Sequence, residues 1–86
     1  MNVFPPRSIY DINRYAVAFP VLIDGVQHRC LITEEALQDH FGASNGANAG
    51  ELVNAFEQHR GAIEAVVEQH IQMGVREEIL LKSGHF

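Results

Sequence analysis

The stretch "RYAVAFPVLIDGVQHRCLIT", Arg14 to Thr33, contains the strongest structural pattern in the sequence. Two runs rich in β-branched and apolar residues flank Asp24-Gly25. This pair suits the positive φ angles of a two-residue type I′ turn. The stretch therefore predicts a β-hairpin over residues 14–33.

The turn also predicts the register of the hairpin, in which Ile23 pairs with Val26 and each further pair lies one step outward on both strands. Because strand side chains alternate, one face then holds Val17, Phe19, Val21, Ile23, Val26, His28, Cys30 and Ile32. The other face is smaller and partly polar, with Ala16, Ala18, Pro20, Leu22, Gln27, Arg29 and Leu31. We expect the face that contains Phe19 to meet the helices.

The segments on either side of the hairpin have simpler patterns. Residues 1–13 contain Pro5-Pro6, which removes two backbone donors, and predict an extended lead-in that is at most briefly paired at a sheet edge. Residues 34–41 predict a short helix with Thr33 as its N-cap. Gly42 ends that helix, and the small residues of 42–48 predict a flexible loop.

A long amphipathic pattern follows over residues 49–73. Asn48 and Glu51 have the spacing of a reciprocal cap at its start. Positions at 100° intervals place one apolar stripe along a single helix, made of Leu52, Phe56, His59, Ile63, Val67 and His70. The carboxylates Glu57, Glu64 and Glu68 lie opposite this stripe and predict a solvated polar face.

The end of the chain contains the apolar run Ile79 to Leu81, and residues 77–83 predict a strand that pairs antiparallel beside the hairpin. A short final helix is the alternative for this segment. The sequence as a whole, residues 1–86, predicts a single α+β domain. In that domain an N-terminal β-hairpin and a C-terminal strand form a small antiparallel sheet, packed against one short and one long α-helix.

Composition excludes several functional classes. Six Lys and Arg residues stand against eleven Asp and Glu residues, a net charge of −5, and the basic residues are scattered. We therefore expect no nucleic acid and no membrane as partners. The single cysteine, Cys30, predicts a reducing compartment. The opening residues lack a signal-peptide core, and no apolar run approaches the roughly 20 residues of a spanning helix, so we expect a cytoplasmic protein.

The candidate chemistry is confined to one low-specificity patch, made of His28, Cys30, His59 and Arg60. His28 and Cys30 are two positions apart on one sheet face, and His59 or His40 could supply a third ligand, but this spacing matches no established zinc pattern. Packing roles for the histidines and a buried structural role for Cys30 are the simpler interpretations. We expect no catalytic residue, no metal and no cofactor.

Several segments together resemble a known bacterial family. They are "YAVAFPVLIDG" (residues 15–25), Cys30 followed by "LIT", "EALQDHFGA" (35–43), "AFEQHRGAIE" (55–64) and "ILL" near the end. In order and spacing the chain resembles domain-of-unknown-function family 1488. The resemblance implies a hairpin-then-helices α+β domain and brings no activity, cofactor or catalytic residue.

Function therefore stays open between three hypotheses. The leading one is a non-enzymatic interaction or accessory module of the bacterial cytosol, which binds an unknown protein partner or associates with itself. Self-association is suggested because a helix over 49–73, about 35 Å long, would overhang a small sheet, and a free sheet edge is the alternative surface for it. The alternative is a pH- or metal-responsive regulator that uses His28, Cys30 and His59, since histidine titrates near neutral pH. A small enzyme is the third, and it would need a concave pocket with convergent polar groups.

Overall fold

The computed structural model describes residues 1–74 and 77–86. Its strands are β1 (Asn2–Val3), β2 (Ile9–Asp11), β3 (Ala16–Ile23), β4 (Val26–Thr33) and β5 (Ile79–Leu81). Its helices are α1 (Glu34–His40), α2 (Ala49–Gln58) and α3 (Arg60–Gln72), and a 3-10 turn covers Ser83–His85. These elements confirm the α+β class. The sheet is mixed where a purely antiparallel one was predicted, and the described residues form three α-helices where two were predicted.

The central hairpin forms as the turn pattern predicts. Asp24 and Gly25 have φ angles of 50° and 83°, the left-handed values that a type I′ turn needs. β3 and β4 pair from Ile23 with Val26 through to Ala16 with Thr33, in the predicted register. The turn chemistry therefore sets which side chains share each face.

Large side chains fill the face of the sheet that meets the helices, which we call the covered face. Phe19 and Phe56 have ring centroids 4.6 Å apart and are almost completely buried. Around them the buried core contains Val17, Val21, Cys30, Ile32, Ala36, Leu37, Leu52, Ala55, Ile63, Val67, Ile79 and Leu81. The covered face is therefore the one that the alternation predicts.

No helix of the described residues packs on the other face of the sheet, and we call it the open face. By the strand register it carries Val3, Ile9, Asp11, Ala16, Ala18, Pro20, Leu22, Gln27, Arg29, Leu31 and Leu80. Ala16, Ala18 and Leu31 are nevertheless buried there, with Leu80 packed against them. Neighbouring side chains, and not a second layer, cover these three residues.

The last strand corrects one prediction. β5 is shorter than the predicted 77–83 segment and pairs with β4 in parallel, Cys30 with Ile79 and Ile32 with Leu81, not antiparallel. Parallel neighbours need a crossover connection, and the helical layer between β4 and β5 is that connection. Residues 75 and 76, which the predicted boundaries place between helix and strand, lie outside the described residues.

The single helix predicted over 49–73 is also wrong, because the chain breaks between α2 and α3. His59 leaves helical geometry, with φ −117° and ψ 19°, and its N–H donates to the Phe56 carbonyl three residues back at 3.1 Å. Gly61, a weak helix former, lies just beyond the break. The Asn48–Glu51 capping box at the start of α2 is present as predicted.

The lead-in pairs briefly with the edge of β3 through β1 and β2, as expected. It also lies against the helical layer, where Asn2 Nδ2 donates to Glu68 at 2.7 Å and Ser8 Oγ donates to Glu57 at 2.6 Å. Glu57 is exposed on the polar face, as the pattern predicts, whereas Glu68 is half-buried. They attach the N-terminal residues to the helices. No helix among the described residues combines the length and apolar character that crossing a bilayer requires.

Candidate functional site

The four residues of the sequence-predicted patch occupy different surroundings. His28 is half-buried on the covered face of β4, and its Nδ1 is 3.3 Å from the Glu77 carbonyl oxygen. Cys30 is buried in the core two residues further on. His59 is exposed at the break between α2 and α3, and Arg60 reaches toward the N-terminal segment. In residues 1–74 and 77–86, no three His, Cys, Asp or Glu side chains are placed to hold a metal ion.

Cys30 has the properties of a packing residue. Its side chain has no exposed surface, and burial raises the pKa of its thiol to about 12. The thiolate is the nucleophilic and metal-binding form of cysteine. A thiol that keeps its proton to about pH 12 is therefore poorly suited to either role near neutral pH.

Ring packing and backbone bonds account for the other histidines. The His59 ring lies 5.2 Å from the Phe41 ring, and the rings of His70 and His85 lie 4.8 Å apart. His70 Nδ1 is 3.0 Å from the Val66 carbonyl oxygen, and His85 Nδ1 accepts from the Lys82 N–H at 2.8 Å. These contacts give the histidines packing and capping roles in this part of the molecule.

Arg60 forms the most connected polar cluster of the patch. Its Nη2 donates to the Pro5 carbonyl at 2.7 Å, and both terminal nitrogens lie 3.4 Å from the Arg7 carbonyl oxygen. Its Nε donates to Glu64 at 2.8 Å, and its guanidinium carbon lies 5.0 Å from the centre of the Phe56 ring. Arg60 therefore joins the start of α3 to the chain between β1 and β2.

The segment that Arg60 holds, residues 4–8, bulges away from the sheet, and we call it the N-terminal bulge. Val3 pairs with Leu22 and Ile9 pairs with Ala18, so residues 4–8 stand opposite residues 19–21 alone. Pro20 lies at the middle of this gap. In the hairpin register its missing N–H would face β1 and β2, so no ladder bond can form there.

The bulge creates a groove on the open face. The groove has a volume of about 680 Å³ and is lined by Pro6, Arg7, Ser8, Ile9, Ala18, Phe19, Pro20, Gln27 and Arg29. The bulge and β2 form one wall, β4 forms the other, and the small residues of β3 form the floor. Among the lining residues, Ile9 keeps 67% of its surface exposed. The groove is thus open, partly apolar and built across three neighbouring strands.

The charge of the groove differs from that of the chain. Its lining contains two arginines and no acidic residue, although the chain has eleven Asp and Glu residues and only six Lys and Arg residues. The Arg7 side chain makes no hydrogen bond or ion pair with the part of the chain that the structure describes. One cation on the bulge is therefore uncompensated.

A charged network borders the groove on the open face. Arg29 donates to Asp11, and Arg14 donates to both carboxylate oxygens of Glu78, at 2.7 and 3.0 Å. The hydrogen bond from Arg29 lowers the pKa of Asp11, and that from Arg14 lowers the pKa of Glu78. Arginine stems can lie along apolar surface while their heads pair in water, so a network of this kind can border an apolar groove.

Sequence reasoning selected Arg60 but missed Arg7, Gln27 and Arg29 as groove residues. The signal for two of them was present, because the register predicts Gln27 and Arg29 on the smaller, partly polar face. No local sequence pattern predicts that Arg7 lines the groove. Its position depends on the bulge, which Pro20 permits and Arg60 holds from the other side of the sheet.

Comparison with known proteins gives a family and a fold. The model of the family described as "Protein of unknown function (DUF1488)" matches residues 3–81. Over 69 residues the chain is 36% identical to the uncharacterized protein YrdB of Escherichia coli K12 and 35% identical to that of Shigella flexneri. Each alignment covers 80% of this chain and 78% of the relative.

A crystal structure supports the architecture independently. It is that of a protein of unknown function from the same family, from Shewanella loihica PV-4, and it superposes with a TM-score of 0.77. The superposition covers 93% of this chain and 90% of that one at 22% sequence identity, a similarity that shows the fold alone. With a family model matching nearly its whole length and relatives above one-third identity, this chain belongs to the DUF1488 family.

Proposed function

We propose that this protein is a non-enzymatic interaction module of the bacterial cytoplasm that binds a protein partner on the open face of its sheet. The observation that carries the proposal is the groove of about 680 Å³ between the N-terminal bulge and β4. Exposed apolar side chains continue along this face, since Ile9 and Val3 are 67% and 51% exposed. Apolar surface of this kind, rimmed by polar side chains, is typical of protein interaction sites.

The groove has the composition of a binding surface. General acid–base catalysis at neutral pH needs a group such as His, Asp or Glu within reach of the reacting atom. The ionisable groups that line the groove are two arginines, which stay protonated at all physiological pH values. The Ser8 hydroxyl, the nucleophile type present, is hydrogen-bonded to Glu57. This supports recognition over turnover.

The face of the sheet is a better binding surface than its edges. Strand addition to an edge needs a run of free backbone groups. One edge is formed by β1 and β2, which have two and three residues, and the other by β5, which has three. Edges this short offer few backbone hydrogen bonds to an added strand.

Self-association is kept as one form of this proposal. The overhanging helix predicted over residues 49–73 is divided at His59, and the free sheet edges are short. In this form of the proposal, a second copy of the chain occupies the open face. The cytoplasmic location likewise rests on the single cysteine, whose thiol is buried and free.

Site-specific photo-crosslinking tests the proposal. A benzophenone amino acid is placed at Gln27, which lines the groove, and in a matched control at Gln72, which is exposed on α3. The variants are expressed in the bacterium that naturally carries the gene and irradiated. We expect one reproducible adduct from position 27 and none from position 72, and its mass separates a second copy from another protein.

The interaction that the adduct identifies must then be reproduced with the purified proteins. The identified protein should bind the unmodified chain in calorimetry, and Gln27→Trp, which fills part of the groove without adding a charge, should weaken that binding. Equal crosslinking from positions 27 and 72, or no adduct from either, would overturn the proposal.

A further inference from the structure

We propose that the groove binds an extended segment of another protein in which two acidic residues flank an apolar one. In this arrangement one carboxylate meets Arg7 on the bulge, the other meets Arg29 on β4, and the apolar side chain between them rests on Ala18 and Pro20. The inference rests on the proposed function above and specifies the chemistry of the partner.

Charge complementarity is the first argument. The groove concentrates two of the six basic residues and none of the eleven acidic ones, in a chain whose net charge is −5. Arg29 donates through Nη2 to Asp11 and its Nη1 lies 3.9 Å from Glu78, but a guanidinium has five N–H donors, so donors remain for a ligand. The Arg7 side chain forms no hydrogen bond or ion pair within the described residues. Carboxylates are the groups that such guanidinium donors bind best in a peptide.

The shape of the floor is the second argument. Ala18 and Pro20 have short side chains, and the taller side chains of Ile9, Gln27 and Arg29 stand on either side of them. An apolar side chain of the ligand can therefore descend between the walls and bury surface against the floor. Purely ionic binding would gain nothing from this depression.

Strand geometry sets the spacing of the two acids. The bulge and β4 lie on opposite sides of β3, so their backbones are separated by two strand spacings, about 10 Å. In an extended peptide, residues two positions apart are separated by about 7 Å, and the residue between them points to the opposite side. When the apolar side chain points into the groove, the two glutamate side chains therefore leave the peptide on its outer side, and their flexible stems turn toward the arginines of the two walls. The lengths of the arginine and glutamate side chains span the difference. A Glu-apolar-Glu sequence that crosses the groove from wall to wall fits this geometry.

Other ligand classes fit less well. Nucleic acid binding needs a row of cations along a phosphate backbone, and this groove has two in an acidic chain. Small-molecule sites enclose most of the surface of their ligand. The groove lies open along a sheet face, which suits a chain passing across it.

The test is a titration of the full-length protein with synthetic peptides, followed by NMR amide shifts. The probe is a ten-residue peptide with Glu-Val-Glu at its centre and Gly-Ser flanks. The comparison peptides replace this centre with Gln-Val-Gln or with Glu-Ser-Glu. We expect the probe to shift the amides of Ser8, Ala18 and Arg29. We also expect the Gln-Val-Gln peptide to bind about tenfold more weakly, and the Glu-Ser-Glu peptide about threefold more weakly.

Arg7→Gln is the decisive protein variant, because the Arg7 side chain supports nothing else in the described structure. It should weaken binding of the probe about threefold. Lys82→Gln removes the same charge from an exposed position outside the groove and should leave the affinity unchanged. If the two variants weaken binding equally, net charge and not the groove is responsible, and the inference is overturned.

The outcome also separates this inference from the proposed function. Equal affinity for the Glu-Val-Glu and Gln-Val-Gln peptides, or no binding of any peptide, overturns the acidic-ligand inference. If the crosslink from Gln27 nevertheless identifies a partner, the interaction module stands and its partner has different chemistry. If a crosslinked partner contains the acidic–apolar–acidic pattern at the site of attachment, both are supported.

Discussion

The two faces of the same sheet are built for different purposes. On the covered face, Phe19 and Val21 are at most 2% exposed and pack against Phe56 of α2. On the open face the corresponding positions of β3 are Ala18 and Pro20, and charged side chains take the place of a second layer. The difference shows how strand alternation lets one hairpin supply a core on one side and the proposed binding groove on the other.

The open face also shows that burial does not require a packed layer. Ala16 and Leu31 have no exposed surface, although no helix lies over them. The neighbouring side chain of Leu80 packs against them instead. Substitutions on the two faces should therefore have very different costs.

The largest expected effect lies on the covered face. Phe56→Ala removes a fully buried ring that contacts Phe19, and it should lower the free energy of unfolding by about 3–5 kcal/mol. The matched open-face change is Ile9→Ala, which should cost less than about 0.5 kcal/mol because Ile9 is 67% exposed. Urea denaturation measures both. Similar losses from the two variants would contradict the division between the faces.

The next effect concerns Cys30 and alkaline pH. Its thiol has a pKa of about 12 in the folded protein against 9.0 as its ordinary value. The protonated form is favoured by folding, so this contribution is complete below pH 9 and is lost as the pH rises from 9 toward 12. Between pH 9 and 10.5 the loss should amount to about 2 kcal/mol.

Cys30→Ala is the control for this alkaline effect. The variant is less stable at pH 7 because a buried side chain is shortened, but its stability should fall less steeply above pH 9 than that of the parent. Denaturation curves at pH 7, 9 and 10.5 give the comparison. Parallel pH profiles for the two proteins would show that Cys30 does not contribute to the alkaline loss.

A smaller effect should connect the two sides of the sheet. Arg60→Ala removes the bonds to the Pro5 and Arg7 carbonyls, and we expect a loss of about 1–2 kcal/mol. The amides of Arg7 and Ser8 should shift and exchange faster, while those of β3 and β4 stay protected. Arg14→Ala, which removes an exposed pair with Glu78, should cost less and leave the bulge unchanged. An intact bulge in Arg60→Ala would show that another contact positions the groove wall.

The smallest effect is confined to the open face. Arg29 holds the pKa of Asp11 below its ordinary value of 3.8, so Arg29→Gln should raise the pKa of that carboxyl. A lowered folded-state pKa stabilises the fold above the ordinary value, and this contribution is lost as the pH falls through the folded-state pKa. Carboxyl NMR titration of Asp11 measures the shift, with Arg14→Gln as the comparison. No change in Asp11 on removing Arg29 would show that the pair is not maintained in solution.

The hairpin was predictable because its information is local. Asp24-Gly25 sets the turn, the turn sets the register, and alternation then assigns Phe19 to one face and Arg29 to the other. The caps of α1 and α2 follow for the same reason, since Thr33 and Asn48 bond to amides three residues away. Family membership was also accessible, because it rests on the order of these same segments.

The helix break was not predictable from periodicity. Phe56 and Ile63, on either side of the break, are seven residues apart, and seven residues cover almost two full helical turns. The apolar stripe therefore keeps its phase whether the helix is straight or broken. The same stripe included His59, which the break leaves exposed.

Predicting the groove requires tertiary information, for a different reason. One wall of the groove is the N-terminal bulge. The length of this bulge depends on how β1 and β2 are each aligned with β3, with Val3 paired to Leu22 and Ile9 paired to Ala18. The register between two strands that are far apart in the sequence cannot be predicted from either strand alone. The parallel direction of β5 was missed for the same reason, since it depends on the path of the chain through the helical layer.

The parallel pairing of β5 has a consequence for the order in which the chain folds. Cys30 and Ile79 are 49 residues apart, as are His28 and Glu77 beside them. The hairpin closes across two residues and can form within microseconds, whereas β5 must wait until the intervening helices have returned the chain to β4. In a refolding experiment followed by pulsed hydrogen exchange, the amides of β3 should become protected first and those of Leu80 and Leu81 last.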